Sequence, residues 1–144
     1  MTFAHPILGL ILGKIYGHTG AFLIGSILPD IDHLVILLKH KQFSFREAYY
    51  SMKSEEKYGI RYKTPWTHSA LALIVLGSLT TLINQPAGIA FAVGYLLHLL
   101  LDAIDTDEKQ YFFPVKYKFR GFLPVFSYVE LIAAAVLTGV YFLL

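Results

Sequence analysis

The sequence holds six histidines, ten Asp and Glu residues and no cysteine. A strong metal site in it must therefore be built from imidazole and carboxylate, and disulfides, thiolate zinc sites and Cys nucleophiles are excluded. His98 and Asp102 stand four residues apart, and Asp30 and His33 three apart. On a helix either spacing puts both side chains on one face, about 5–6 Å apart at Cβ. Such a pair can share one metal or bridge two. Asp32 points elsewhere on a regular helix and is expected to orient a His rather than ligate. Pro29 breaks the helix just ahead of Asp30, freeing backbone groups that only a buried or watery site would satisfy.

Each of these residues also has a plain structural reading. A lone His in an apolar helix is usually a hydrogen-bonded structural residue. Asp102 lies in the run Leu99-Leu100-Leu101-Asp102-Ala103-Ile104, where a carboxylate at membrane depth costs about 2.5–3.5 kcal/mol on insertion scales. Its structural alternative is a salt bridge to a basic loop.

The elements that position these residues follow from composition. Hydrophobic residues make up 56% of the 144 residues and charged residues 15%, against roughly 45–50% and about 25% in ordinary globular domains. A single domain, 1–144, has too little core to hide that excess from water. Five apolar segments stand out: residues 6–16, 21–38, 69–83, 89–104 and 123–144. All are too long and too rich in Leu, Ile and Ala for ordinary strands. The predicted fold is all-α, an up-and-down membrane bundle with a His/Asp site at one end. A spanning helix needs about 20 apolar residues, and only 125–144 has that length. The shorter segments would tilt or thin the bilayer. A soluble helical metalloprotein is the alternative, and the need for detergent in extraction separates the two.

Residues 17–20 and 84–88 read as turns, and 39–65 and 105–121 as longer polar connections. The N-terminus lacks the basic start of a signal peptide and reads as mature protein. Repeats and low-complexity tracts are absent. Eleven of the twelve Lys and Arg residues fall in the two long connections, Lys14 being the exception. In a five-helix chain both connections share one side, which the positive-inside rule assigns to the cytoplasm. The net charge of +2 is too small to argue for nucleic acid.

On this topology His5, Asp30, Asp32, His33, His68, His98 and Asp102 all fall in the cytoplasmic half. Four segments distant in sequence thus offer ligands at one level, as a metal site requires; a proton or ion pathway is the competing reading. His18 and His40 read as solvated. Glu130 is either an extra ligand or a partner for Lys or Arg. Tyr111, Phe112, Phe113, Tyr117, Phe119 and Phe122 read as an interfacial aromatic belt.

At these residues the sequence resembles a known family. Leu28-Pro29-Asp30-Ile31-Asp32-His33 resembles the LPDxDH signature of the membrane-bound metal-dependent hydrolases, whose bacterial members include a LexA-regulated inner-membrane hydrolase. Thr67-His68-Ser69 is similar to that family's THS element, and Gly94-Tyr95-Leu96-Leu97-His98-Leu99-Leu100-Leu101-Asp102 to its GYxxHxxxD element. His5 falls where the family has an early His, and Pro114 where a Pro follows the last motif. That family is held to be distantly similar to the zinc-dependent phospholipase C and P1-nuclease type. The resemblance implies His5, Asp30, His33, His68, His98 and Asp102 as ligands and phosphoester hydrolysis as the activity. Two departures matter. Lys63-Thr64-Pro65 replaces a His-Arg-Gly, so Lys63 or Arg61 would have to hold a phosphate, with Ser69 a further substrate candidate. Asp105-Thr106-Asp107-Glu108 follows Asp102, which makes Asp105 a candidate base or extra ligand beside Asp32.

The function expected is therefore hydrolysis of a phosphoester, lipid or lipid-like, at the cytoplasmic face of the inner membrane. A bound cation would lower the pKa of water toward about 7 and polarise the phosphoryl oxygen. Zinc suits the His content, manganese or iron the three Asp, and six candidate ligands allow one or two ions. Residues 39–65, with seven basic against three acidic residues, would attract anionic head groups or simply fix topology. A membrane metal-binding or ion-handling protein without hydrolytic chemistry is the reading from another class.

Overall fold

In a computed structural model, which describes residues 3–144, the chain is helical, as predicted. Helix α1 spans Ala4–Tyr16. Gly17 and His18 then take positive φ, 78° and 55°, and reverse the chain into α2, Thr19–Ile27. A 3-10 turn, Leu28–Asp30, carries Pro29 and leads into α3, Ile31–Lys39. Segment 21–38 is thus one rod interrupted where proline removes a donor.

The connection 39–65, expected to be irregular, contains two short helices, α4 (Phe45–Lys53) and α5 (Glu55–Tyr58). Their polar surface hid them from a search for apolar runs. Helix α6, Ala70–Ile83, starts at Ser69, whose hydroxyl accepts from Ala72 N. Helix α7, Gln85–Asp102, starts at Asn84, whose side chain accepts from Ala87 N. The expected turn 84–88 therefore shrinks to one residue, since Pro86 is tolerated in a first helical turn. Helix α8, Tyr128–Leu143, starts at the Ser127 cap, five residues later than the apolar run begins. Among the described residues the only strand-like pairings are isolated bridges, Asp105 with Leu123 and Lys109 with Phe119.

Two stretches, Thr19–Lys39 and Gln85–Asp102, are long and apolar enough to cross a membrane. Helices α1, α6 and α8 are shorter, at 13, 14 and 16 residues. Helix α7 packs against α1, α2 and α6, and α8 joins the bundle along α1. The approach of α2 to α7 is backbone-close: a Cβ on Gly25 would collide with the Phe91 carbonyl, and one on Gly94 would meet the Phe22 carbonyl. Small residues of this kind let helices pack when lipid supplies no hydrophobic drive.

The radial distribution is inverted relative to a water-soluble protein. Ile24, Leu34, Val35, Ile74, Leu79, Leu100, Ile132 and Val136 are exposed, whereas His5, Asp32, His68, His98, Asp102, Asp105, Lys109 and Glu130 are buried. The apolar core proper is small, Ala72, Phe91, Tyr95 and Leu99. An apolar exterior over an ionic interior suits a hydrocarbon surround, where polar groups must find their partners inside the protein.

Candidate metal centre

Three pieces of chain meet at the end of the bundle where α1 begins and α7 ends. The 3-10 turn carries Asp30, the residue pair before α6 carries His68, and the last turns of α7 carry His98 and Asp102. These four residues each offer one ligand atom, all within 4.8 Å of one another, and form a group that could hold a metal ion.

The individual distances are more telling. His68 Nε2 lies 3.4 Å from His98 Nε2, 3.3 Å from Asp102 Oδ2 and 3.6 Å from Asp30 Oδ1. His98 Nε2 lies 3.6 Å from both of those oxygens. Donor atoms on a tetrahedron about zinc, each about 2.0–2.2 Å from the ion, stand roughly 3.3–3.6 Å apart. The residues fit such an ion.

The hydrogen bonds on the far side of each ring fix which nitrogen faces inward. His98 Nδ1 donates to the Ser26 carbonyl at 2.7 Å, so its Nε2 lone pair points into the group when the ring is neutral. His68 Nδ1 faces Asp32 Oδ2 at 3.1 Å. The same oxygen accepts from Thr64 N and Thr67 Oγ1, both at 2.7 Å. Asp32 therefore orients an imidazole and anchors the segment that carries it. Burial pulls the His68 pKa down, but Asp102, Asp30 and Asp32 outweigh it and hold it up at about 10.

Two of the six expected ligands stand beside the four-atom group. His5 Nδ1 lies 3.3 Å from Asp30 Oδ2 and its Nε2 3.4 Å from Asp102 Oδ1, and that Nε2 is buried with no hydrogen-bond partner. Each carboxylate thus turns one oxygen to the His68/His98 pair and the other to His5. His33 Nδ1 sits between Asp30 Oδ1 at 3.3 Å and Asp32 Oδ1 at 3.0 Å, with its ring stacked on Tyr62 at 5.6 Å.

The remaining sequence candidates divide sharply. Lys63 reaches the centre: its Nζ lies 3.0 Å from Asp102 Oδ2 and 3.4 Å from both Asp105 Oδ2 and Asp107 Oδ2. Burial lowers the Lys63 pKa, yet the three carboxylates raise it well above the ordinary lysine range. Asp105 is buried on the outer side of Lys63, one side chain removed from the donor group. Arg61 points outward to Glu108, at 3.2 Å. Ser69 is spent on capping α6. Glu130 is neither a ligand nor paired with Lys or Arg among the described contacts; its carboxylate accepts from Phe3 N at 3.2 Å and Phe126 N at 2.9 Å. His18 and His40 are exposed.

Several contributors escaped the sequence reading. Lys109 is buried, and its Nζ donates to the Asp105 carbonyl at 2.6 Å; burial, with Lys63 nearby, lowers its pKa to about 8. Tyr95 OH donates to the Thr67 carbonyl, and Tyr111 OH to the Leu99 carbonyl at 2.9 Å, tying the His68 segment and the 105–121 connection to α7. The clustering of Tyr62 and Ser51 around the Gln42 amide oxygen had no local signal, because its members are 9 to 20 residues apart along the connection.

No curated protein and no solved structure matches the chain. A family model described as YdjM inner membrane protein matches residues 1–143, and the chain belongs to that family.

Proposed function

We propose that this protein is a membrane-bound hydrolase that uses a divalent cation to cleave a phosphoester, its site facing the cytoplasm. The observation that carries the reading is that His68 Nε2 and His98 Nε2 lie 3.3–3.6 Å from each other and from both Asp30 Oδ1 and Asp102 Oδ2, with all the ligand atoms of the group within 4.8 Å. Such spacing favours zinc, with manganese or iron as alternatives for a carboxylate-rich site. When bound, the cation supplies Lewis acidity and a water of lowered pKa.

The chain's own residues do the rest. Asp32 and the Ser26 carbonyl hold the two imidazoles in one tautomer. Lys63 balances the charge of Asp102 and stands where a phosphoryl oxygen could be met. Asp105, against Lys63, is the carboxylate available to move a proton. The outward oxygens of Asp30 and Asp102, with His5 between them, offer ligands for a second ion. Membrane lipid is the natural source of substrate for a site held at the end of an apolar bundle.

The test is turnover by purified protein, in detergent with added Zn²⁺ or Mn²⁺, across generic phosphodiesters and phospholipids. His68→Ala and Asp102→Ala should abolish it. One specific observation favours a second reading, a metal-holding protein without hydrolysis: four protein donors are the number of a closed structural site, whereas catalytic zinc commonly keeps one position open. Stoichiometric metal with no ester cleaved across the panel would decide for it.

A further inference from the structure

Two polar clefts lie on the loop side of the centre. The outer, about 620 Å³, is walled partly by Lys53, Lys57 and Arg120. The inner, about 170 Å³, has Lys63, Thr64 and Gln110 on its wall. Arg61 and Glu108 belong to both. The Glu108 carboxylate therefore borders both clefts, and the lysine that touches Asp102 lies on the wall of the inner one.

Glu108 Oε2 is held in a fork, 3.2 Å from Arg61 Nη2 and 2.9 Å from Lys118 Nζ. A planar guanidinium and an ammonium converging on one oxygen is the donor set that recognises phosphate. We propose that Arg61 and Lys118 form an oxyanion subsite for the phosphate group of the substrate, and that Glu108 is its resident occupant, displaced when the phosphate arrives.

The energetics permit the exchange. Side-chain exposures of 65% for Arg61, 49% for Lys118 and 37% for Glu108 make this a surface ion pair, which solvent screening keeps weak. A phosphate brings a charge of roughly −1.5 to −2 and three acceptor oxygens against one carboxylate. The inner cleft, with Lys63 on its wall, has room for about five waters at roughly 30 Å³ each. The wall of the outer cleft is of mixed sign, Glu55 and Asp107 beside Lys53, Lys57 and Arg120, so it is the fork of Arg61 and Lys118 that distinguishes this place for an anion.

The inference rests on the hydrolase reading for the chemical class of its ligand, but its test reads binding rather than turnover. Chelator-stripped protein in nanodiscs of neutral phosphatidylcholine is titrated with inorganic phosphate by calorimetry. Glu108→Gln should tighten binding, and Arg61→Ala or Lys118→Ala should weaken it, by about tenfold each, as expected for one charge-assisted contact worth about 1.4 kcal/mol. Helical circular dichroism checks that each variant is folded. Nanodiscs containing phosphatidic acid separate the sources: a headgroup already in the fork lowers the affinity for free phosphate, whereas an unchanged affinity assigns the subsite to soluble phosphate. His68→Ala should leave phosphate binding intact, so failure of hydrolysis and failure of the subsite are distinct results. No binding by wild type and by Glu108→Gln, or binding indifferent to Arg61→Ala, overturns the proposal.

Discussion

His68 and His98 face each other through their Nε2 atoms at 3.4 Å, while the Nδ1 of each is turned outward, to Asp32 Oδ2 and the Ser26 carbonyl respectively. Two ring nitrogens brought this close, with carboxylate oxygens 3.3–3.6 Å away, need a positive charge between them. A proton on His68, whose pKa the carboxylates hold up at about 10, supplies that charge in the free protein, and a bound cation would take its place with imidazole and carboxylate as ligands.

Removing a donor should therefore remove the ion. His98→Ala and Asp102→Ala are each expected to lower bound metal from stoichiometric to residual, read by elemental analysis of protein purified in detergent. Wild-type protein loaded with Co²⁺ should show the intense visible absorption of a tetrahedral site. Weak octahedral bands would contradict the geometry assigned to the four donors.

Asp32 contributes through orientation, and its replacement should behave differently. Asp32→Asn keeps the four donors but loses the carboxylate that aligns His68, so metal affinity should fall about 10–100-fold with stoichiometry retained at saturation. An affinity equal to wild type would remove Asp32 from the centre.

The approach of α2 to α7 sets the distance from Asp30 to His98. Gly25→Ala forces a Cβ against the Phe91 carbonyl and should destabilise the protein by about 1–3 kcal/mol. Metal affinity should weaken with it, since the 3-10 turn rides on α2. Thermal unfolding in detergent, with and without added Zn²⁺, measures both effects.

Glu130 has a structural task, and its loss should spare the ion. Glu130→Ala leaves Phe3 N and Phe126 N without their acceptor, a loss of about 1–3 kcal/mol for a buried group. Bound metal should stay stoichiometric.

Glu55 makes the loop pH-sensitive. Burial raises its pKa from 4.5 to about 7, although its carboxylate accepts from Tyr62 N at 2.9 Å. The folded state then holds a proton that the unfolded chain has released, so stability falls as pH rises from about 4.5 to about 7. Hydrogen-exchange protection across residues 42–62, taken relative to the intrinsic exchange rate at each pH, should fall over that interval, and Glu55→Gln should flatten the protection profile. A wild-type profile already flat would show that Glu55 does not carry this dependence.

The helices were legible because lipid imposes a simple rule on composition. Long apolar runs, the Pro29 break and the placement of Asp30, His68, His98 and Asp102 at one level could all be read along the chain. The spacing of His98 and Asp102 needed only the period of a helix. Membership of an inner membrane protein family agrees with that reading of the composition.

What the sequence could not assign was the direction of each side chain across the gaps between elements. His5 and His33 look equivalent to His68 and His98 as ligands, yet His5 addresses the outer oxygens of Asp30 and Asp102, and His33 sits between Asp30 Oδ1 and Asp32 Oδ1. Lys63 and Arg61 are two residues apart, and one enters the centre while the other faces water. Glu130 turned to backbone amides brought near it by the fold. Residue type and local period fix which chemistry a chain offers, because they depend on neighbours in sequence. Which atoms meet depends on how α1, α7 and the two polar connections pack, and only the tertiary structure decides that.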